Sequence, residues 1–453
     1  CPHACPGGLN QQTKTSNHTT MYPRLQDFAN EFPTAPARKP GAPTALGGIR
    51  VLDFSHFIAG PYATMMLADF GADVLKIETP GKGDDLRHYP PVDAQMPAQG
   101  SSFFFANRNK RSIALDLKNP RALDVVKELV AKSDVLVENF STGVMQRFGL
   151  DWETCRAINP RLVYCSVPAY SRDGEFADRT GFDPIVQAES GFISMNGYAD
   201  REGVRALSPV MDMGTSLMVC NTVLAALMAR HHTGAGQYCE VALFDSAIAM
   251  TAHAPMQYLF AGMEPKRNGN TSPDTSPSGV FRASDVAFYV NSGNDKIFQR
   301  LTVAIGMPQL ATDPRFEGRA GRMANRDALF AILIDAFAKQ PWAHWRAKFR
   351  ELAIPSGEVR TLAQALHSPE AAARGLVTRI PHPVAGWVPN LPPPARLSDT
   401  PVVDPVAAPA LGAHTHEVLR DLLGMDDARL AELAAAGVFG AQGATQRKQE
   451  ALA

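Results

Sequence analysis

The stretch GIRVLDFSHFIAGPYATMMLADFGADVLKIE, Gly48–Glu78, carries the first decision about the fold. Ile49–Phe54 alternates around Val51 and Leu52 and reads as a strand. Pro61 opens a helix at a position where proline costs nothing, and Met65, Met66 and Leu67 lie inside it. Gly71 stops that helix, and Ala72–Ile77 is a second strand. The unit then repeats. Arg111–Leu117 reads as strand, Pro120–Lys132 as helix, Asp134–Val137 as strand, Trp152–Ile158 as helix and Arg161–Val167 as strand. Strands alternating with helices predict βαβ units, a mainly parallel sheet and helices on both faces.

Two common uses of such a sheet are not supported. His56-Phe57-Ile58-Ala59-Gly60-Pro61 follows the first strand where a G-x-G-x-x-G turn would bind a dinucleotide, and no P-loop pattern occurs. There is also no G-x-S-x-G elbow and no Ser/His/Asp order.

Further along, Gly214–His231 reads as one long helix, and Gln237–Leu243 as a strand. Arg267–Ser278 turns to Gly, Asn, Ser and Pro and reads as a linker or mobile loop. Val280–Asn291 reads as a hairpin and Ala328–Leu352 as helix, so a smaller α+β domain is placed at 265–370. Pro381–Pro409 reads as a second linker, followed by helices at Thr415–Leu423 and Asp427–Ala434. The expected division is an arm at 1–46, disordered or extended, with 1–20 a tag. A large domain at 47–250, the small domain and a segment at 390–440 follow.

The chain of 453 residues is long enough for two or three domains. Lys+Arg 44 against Asp+Glu 45 leaves a net charge of −1, which argues against bulk attraction to nucleic acid or an anionic membrane. No uninterrupted apolar run reaches bilayer length and no secretory leader is evident, so no membrane partner is expected. Of the six cysteines, Cys155, Cys165, Cys220 and Cys239 stand singly in apolar segments and read as buried free thiols. Cys1, His3 and Cys5 lack metal-ligand spacing, so no metal is expected. Free thiols point to the cytoplasm.

Several residues are candidates for chemistry. Asp212 precedes the long helix and reads as its N-cap or as a carboxylate nucleophile at a helix N-terminus, two compatible readings. Asp183, between Phe182 and Pro184, reads as a turn residue or as a second carboxylate. His56 lies at the carboxyl end of the first strand, where open α/β sheets bind ligands. His231 and His232 suit the end of a helix; His414 and His416 enter one. Lys110, Arg111, Lys118 and Arg147 form a basic set suited to phosphates.

These blocks together resemble a known family. Gly48–His56, Ala59-Gly60-Pro61 and Gly71–Glu78 look like the start of a family III CoA-transferase. Asn109–Ile113, Val137-Glu138-Asn139-Phe140, Asn159–Leu162, Thr233–Gln237, Ile354-Pro355 and Leu411–Thr415 continue the resemblance in order, over about residues 47–435. It implies a large Rossmann-like doubly wound domain built from both chain ends, a small inserted α+β domain and an interlocked homodimer. It implies that Asp212 attacks an acyl-CoA thioester, passing through an anhydride to an aspartyl-CoA thioester that an acceptor carboxylate discharges. It places CoA contacts on His56, Phe57, Ala59, Lys118, Asn139, Phe140 and Arg147, with CoA thioester as substrate and no permanent cofactor.

Three departures narrow the acceptor. Ile58 stands where the formyl-CoA:oxalate branch has Gln, and the loop Asn270–Gly279 lacks that branch's run of glycines, so oxalate is not expected. Phe182 stands where the α-methylacyl-CoA racemase branch has a catalytic His, and a phenyl ring cannot move a proton. The expectation is a C4 or C5 dicarboxylate such as succinate, mesaconate, itaconate or citramalate, with Arg87, Arg205 and Arg282 as candidate cations. The alternatives are an acyl-CoA isomerase or racemase, an intramolecular CoA transferase on the same scaffold, and a non-catalytic CoA-binding protein.

Overall fold

A computed structural model describes residues 31–93, 96 and 98–440. The tract with Cys1, His3 and Cys5, and the residues before Met21, lie outside the described residues.

Strands β1 (Arg50–Asp53), β2 (Asp73–Glu78), β3 (Lys110–Ala114), β4 (Val135–Glu138), β5 (Val163–Ser166) and β6 (Tyr238–Glu240) form one six-stranded sheet in the order β3-β2-β1-β4-β5-β6. Every pairing in it is parallel. The strand order reverses direction between β1 and β4, which opens a crevice beyond their carboxyl ends.

Alternation along each strand feeds a core on either face. Leu52, Leu75, Leu136 and Tyr164 point to one core, Val51, Val74, Val135, Val137 and Cys165 to the other. The first core is covered by the helix Pro120–Ala131 and by helices Thr415–Leu423 and Asp427–Ala435 from the far end of the chain. The second is covered by Ala59–Asp69, Val210–Thr233 and Leu243–Met250. The long helix Val210–Thr233 is apolar enough to span a bilayer, yet it lies on the sheet with Met211, Val219 and Val223 buried. A Cβ on Gly214 would stand 1.7 Å from Met250 Sδ, so glycine is what lets Leu243–Met250 pack against that helix.

The edge strand β3 is not left open. Ser112 N–H donates to His414 Nδ1, His414 N–H to Ser112 O, and Ala114 N–H to Thr415 Oγ1. His414 therefore docks the returning chain on the sheet edge.

A second unit has its own core. Strands β7 (Ser278–Arg282), β8 (Ala287–Asn291) and β9 (Ser356–Glu358) make an antiparallel sheet, against which Phe298, Phe337, Trp345 and Phe349 pack. The helix expected over Ala328–Leu352 is two, Arg326–Phe337 and Trp342–Glu351, because Pro341 has no N–H to continue the first. The linker expected at Pro381–Pro409 contains the end of β10 (Thr378–His382) and all of its hairpin partner β11 (Gly386–Asn390). Pro381 and Pro389 are tolerated because a two-stranded ribbon has only edges. The described end of the N-terminal arm runs beside this hairpin: Thr34 bridges Arg379, and Arg38 N–H donates to Asp404 Oδ1.

Candidate active site

The loops after β1 and β4 meet at the reversal point. His56 N–H donates to Asn139 Oδ1 at 2.8 Å, and Asn139 Nδ2 donates back to His56 O at 2.8 Å. The His56 ring lies 5.3 Å from that of Phe140. Burial pushes His56 below its usual pKa, so the ring is neutral at pH 7. Phe57 takes a left-handed backbone, φ 62°, which a bulky residue adopts only when its surroundings impose it. Asp84 Oδ1 accepts its N–H at 3.3 Å, and the other oxygen of Asp84 pairs with buried Lys76 Nζ at 3.0 Å. Ala59 is buried as the first residue of the following helix.

The ring of Phe57 lies 5.6 Å from that of Phe182, and this contact leads to the carboxylates. Asp183 is not a turn residue. It begins the helix Asp183–Glu189 and is buried. Its Oδ2 accepts the N–H of Met211 at 2.7 Å and of Asp212 at 3.2 Å, while Oδ1 accepts Gln187 Nε2. The long helix starts at Val210, four residues earlier than the sequence suggests, with Pro209 at the cap position. Asp212 thus sits in the first turn rather than at the cap, because Asp183 supplies the acceptor that a capping side chain would.

The Asp212 carboxylate has no hydrogen-bond or ion-pair partner among the described residues. Burial, and then the charge of Asp183, push it up to about 7. A half-buried carboxylate whose pKa is raised in this way marks a reactive position more often than a structural one.

The basic candidates divide. Lys118 and Arg147 are exposed, with no side-chain partner among the described residues. Lys110 is buried and committed. Its Nζ donates to Asp53 Oδ2, Pro61 O and Asn107 Oδ1, and burial pushes it down to about 8 against the pull of Asp53. Arg111 is spent on Asp73. Neither of these two is free for a phosphate. Arg87 is fully buried, bidentate on Glu78 and bonded to Pro409 O, so it is not a free cation for an acceptor. Arg205 and Arg282 are exposed, Arg282 at the end of β7.

Two arrangements escaped the sequence reading. The segment expected as a mobile loop is fastened by a comb of arginines. Arg319 Nε donates to Asp274 O at 2.6 Å, Arg322 Nε to Ser276 O at 2.8 Å, and Arg326 to Ser272 O. The spacing 319, 322, 326 is helical and was the available signal. The second is Arg172, which joins Glu138, Ser166 and Phe140, with no local spacing to reveal it.

The reversal point of the doubly wound sheet thus brings His56, Phe57, Asn139 and Phe140 together, and the Phe57–Phe182 contact joins them to Asp183 and Asp212. Residues 46–415 match the model of CoA-transferase family III, and the chain belongs to that family. It is 41% identical over 350 residues to the acetyl-CoA:oxalate CoA-transferase of Acetobacter aceti, covering 76% of this chain and 88% of that protein. It is 35% identical over 391 residues to the succinate–glutarate CoA-transferase of Agrobacterium fabrum, covering 85% and 97%. A crystal structure of a CAIB/BAIF family protein from Brucella suis superposes with TM-score 0.76 at 34% identity, covering 84% of this chain and all of that one.

Proposed function

We propose that this chain transfers CoA from succinyl-CoA or a similar donor to a C4 or C5 dicarboxylic acid, with Asp212 as the covalent carrier. The observation that carries this reading is the half-buried Asp212 carboxylate, without a partner among the described residues, in the first turn of a long helix beside Asp183. Burial that raises its basicity also raises its nucleophilicity, and the helix N-terminus favours negative charge there.

The steps balance without an external energy source. Asp212 carboxylate attacks the donor thioester carbonyl and expels CoA thiolate, leaving a mixed anhydride. The thiolate attacks the Asp212 carbonyl carbon and expels the donor carboxylate, leaving an aspartyl-CoA thioester. The acceptor carboxylate then displaces the thiolate. The thiolate attacks the acceptor acyl carbon of the second anhydride, which releases acyl-CoA and the Asp212 carboxylate. Asp183 is the second carboxylate, holding the helix N-terminus and setting the charge around Asp212.

His56, Phe57, Ala59, Asn139 and Phe140 form the wall for the pantetheine and adenine, with Lys118 and Arg147 for its phosphates. CoA enters as substrate, and no resident cofactor or metal is part of this mechanism. Leu207, Leu259 and Phe260 are 88%, 76% and 91% exposed, and large apolar side chains left this open support burial in an interlocked homodimer. Cys165 and Cys239 lie opposite each other on β5 and β6 and remain free thiols, which supports a reducing, cytoplasmic setting.

The glutarate named for the Agrobacterium relative supports a C5 acceptor. The oxalate named for the Acetobacter relative favours a second reading, a C2 acceptor, despite Ile58 and the absence of a glycine run in the loop. The test is CoA exchange followed by mass spectrometry, with succinyl-CoA or acetyl-CoA and a pool of mono- and dicarboxylic acids including oxalate. New C4 or C5 acyl-CoA is expected, dependent on Asp212. Oxalyl-CoA alone would select the second reading. Isomerisation of one branched acyl-CoA without exchange would overturn both.

A further inference from the structure

The loop after β4 and the loop after β5 are joined by one guanidinium. Arg172 Nη1 donates to Phe140 O at 2.7 Å and Thr142 Oγ1 at 3.3 Å, and Nε donates to Ser166 Oγ at 2.7 Å. Its Nη2 donates to both oxygens of Glu138, each at 3.1 Å. Glu138 Oε2 in turn accepts the N–H of Phe140 at 3.0 Å. One ion pair therefore holds both the N–H and the C=O of Phe140. The Thr142 hydroxyl adds a second stitch, to Ala177 O on the loop that carries Arg172.

A pair in this setting is not required for stability as such, because well-packed apolar residues can replace a buried ion pair at little cost. What it supplies is orientation. A planar fork with donors in fixed directions holds the Phe140 carbonyl and orients Glu138, which holds the Phe140 N–H, and a lysine cannot do both. The group it sets is the one whose ring faces His56. Phe140 is fixed by this clamp together with its ring contacts to His56 and Phe148 and its packing against the first core.

We propose that Arg172 is a positioning residue for CoA: with Glu138 it fixes Phe140 in the CoA wall. The inference rests on the reading of Phe140 as a CoA contact. Arg172→Gln weakens CoA binding about tenfold and raises the KM for acyl-CoA in step. The KM for the acceptor acid stays within twofold. Arg172→Lys, which retains the charge and guards against a folding defect, weakens CoA binding about fivefold.

The experiment is calorimetric titration of full-length wild type, Arg172→Gln, Arg172→Lys, Phe140→Ala and the Phe140→Ala/Arg172→Gln pair with free CoA, with melting curves alongside. Loss of the Arg172→Gln effect in the Phe140→Ala background supports the proposal. Independent, multiplying losses, or a lowered melting temperature with unchanged CoA affinity, overturn it while leaving the CoA site standing. Unchanged CoA affinity in Phe140→Ala overturns the CoA-wall reading itself, and this proposal with it.

Discussion

Asp183 caps the helix that carries Asp212: its Oδ2 accepts the Asp212 N–H at 3.2 Å as well as that of Met211 at 2.7 Å. The helix end is therefore built by a residue from another element. Two carboxylates lie close together, one tied down by hydrogen bonds and the other without a partner among the described residues. Asp183 gives the order that a cap would give, and its charge adds to burial in holding a proton on Asp212.

The first prediction concerns pH. With Asp212 held up to about 7, the reactive carboxylate form grows as pH rises through that value. Asp183→Asn keeps an oxygen that can accept the N–H groups but removes a neighbouring charge. The acid limb of the kcat/KM profile then moves to lower pH by about half a unit or more, though not to the ordinary aspartate range, since burial remains the larger cause. An unmoved limb would mean that the two carboxylates do not couple.

The same shift makes a stability prediction of defined sign. A carboxyl whose folded pKa lies above its unfolded value binds more protons in the folded state. Its stabilising contribution is complete below about pH 4 and is lost as pH rises through about 7. Asp212→Asn mimics the neutral form. It raises the melting temperature by several degrees at pH 8 and by a clearly smaller amount at pH 5, where part of the contribution is still present, readable by differential scanning calorimetry. Equal effects at both pH values would contradict the shift.

Arg87 is predicted to matter for the fold and not for the acceptor. Its fork on Glu78 is fully buried, and that guanidinium overrides the effect of burial to hold Glu78 down to about 2. Arg87→Met leaves Glu78 unpaired and costs about 3–5 kcal/mol in urea unfolding. The acceptor KM of the folded enzyme stays within twofold. A selective rise in that KM would restore Arg87 as a substrate cation.

How much of this could be read along the chain depended on the range of the interactions. The parallel sheet was legible because alternating strands and amphipathic helices repeat locally, as at Val51/Leu52 and Val126/Leu129. His56 was legible from its place after the first strand, Asn139 and Phe140 from the resemblance, and the structure brings the three together. The N-cap reading of Asp212 failed because the acceptor that caps the helix comes from Asp183, distant in sequence. Lys110 and Arg87 look like any surface cation until Asp53 and Glu78 are placed beside them. The β10–β11 hairpin was hidden by Pro381 and Pro389, which break central strands but not edges.

Lys118 and Arg147 carry a further prediction. They are exposed and unpaired among the described residues, so phosphates can be met without breaking an existing bond. Lys118→Ala and Arg147→Ala each raise the acyl-CoA KM about tenfold, the size expected for one charge-assisted hydrogen bond. Both losses shrink at high salt. Steady-state kinetics at two ionic strengths checks this, and acyl-CoA KM values like that of the wild type would remove these residues from the site.

The central claim is that Asp212 carries CoA covalently. Its most direct test is intact-protein mass spectrometry of the full chain mixed with succinyl-CoA and quenched in acid. The account predicts an adduct of CoA that maps by peptide digestion to Asp212, is discharged by an acceptor dicarboxylate, and is missing from Asp212→Asn. An adduct elsewhere, or undiminished CoA exchange by Asp212→Asn, would contradict it.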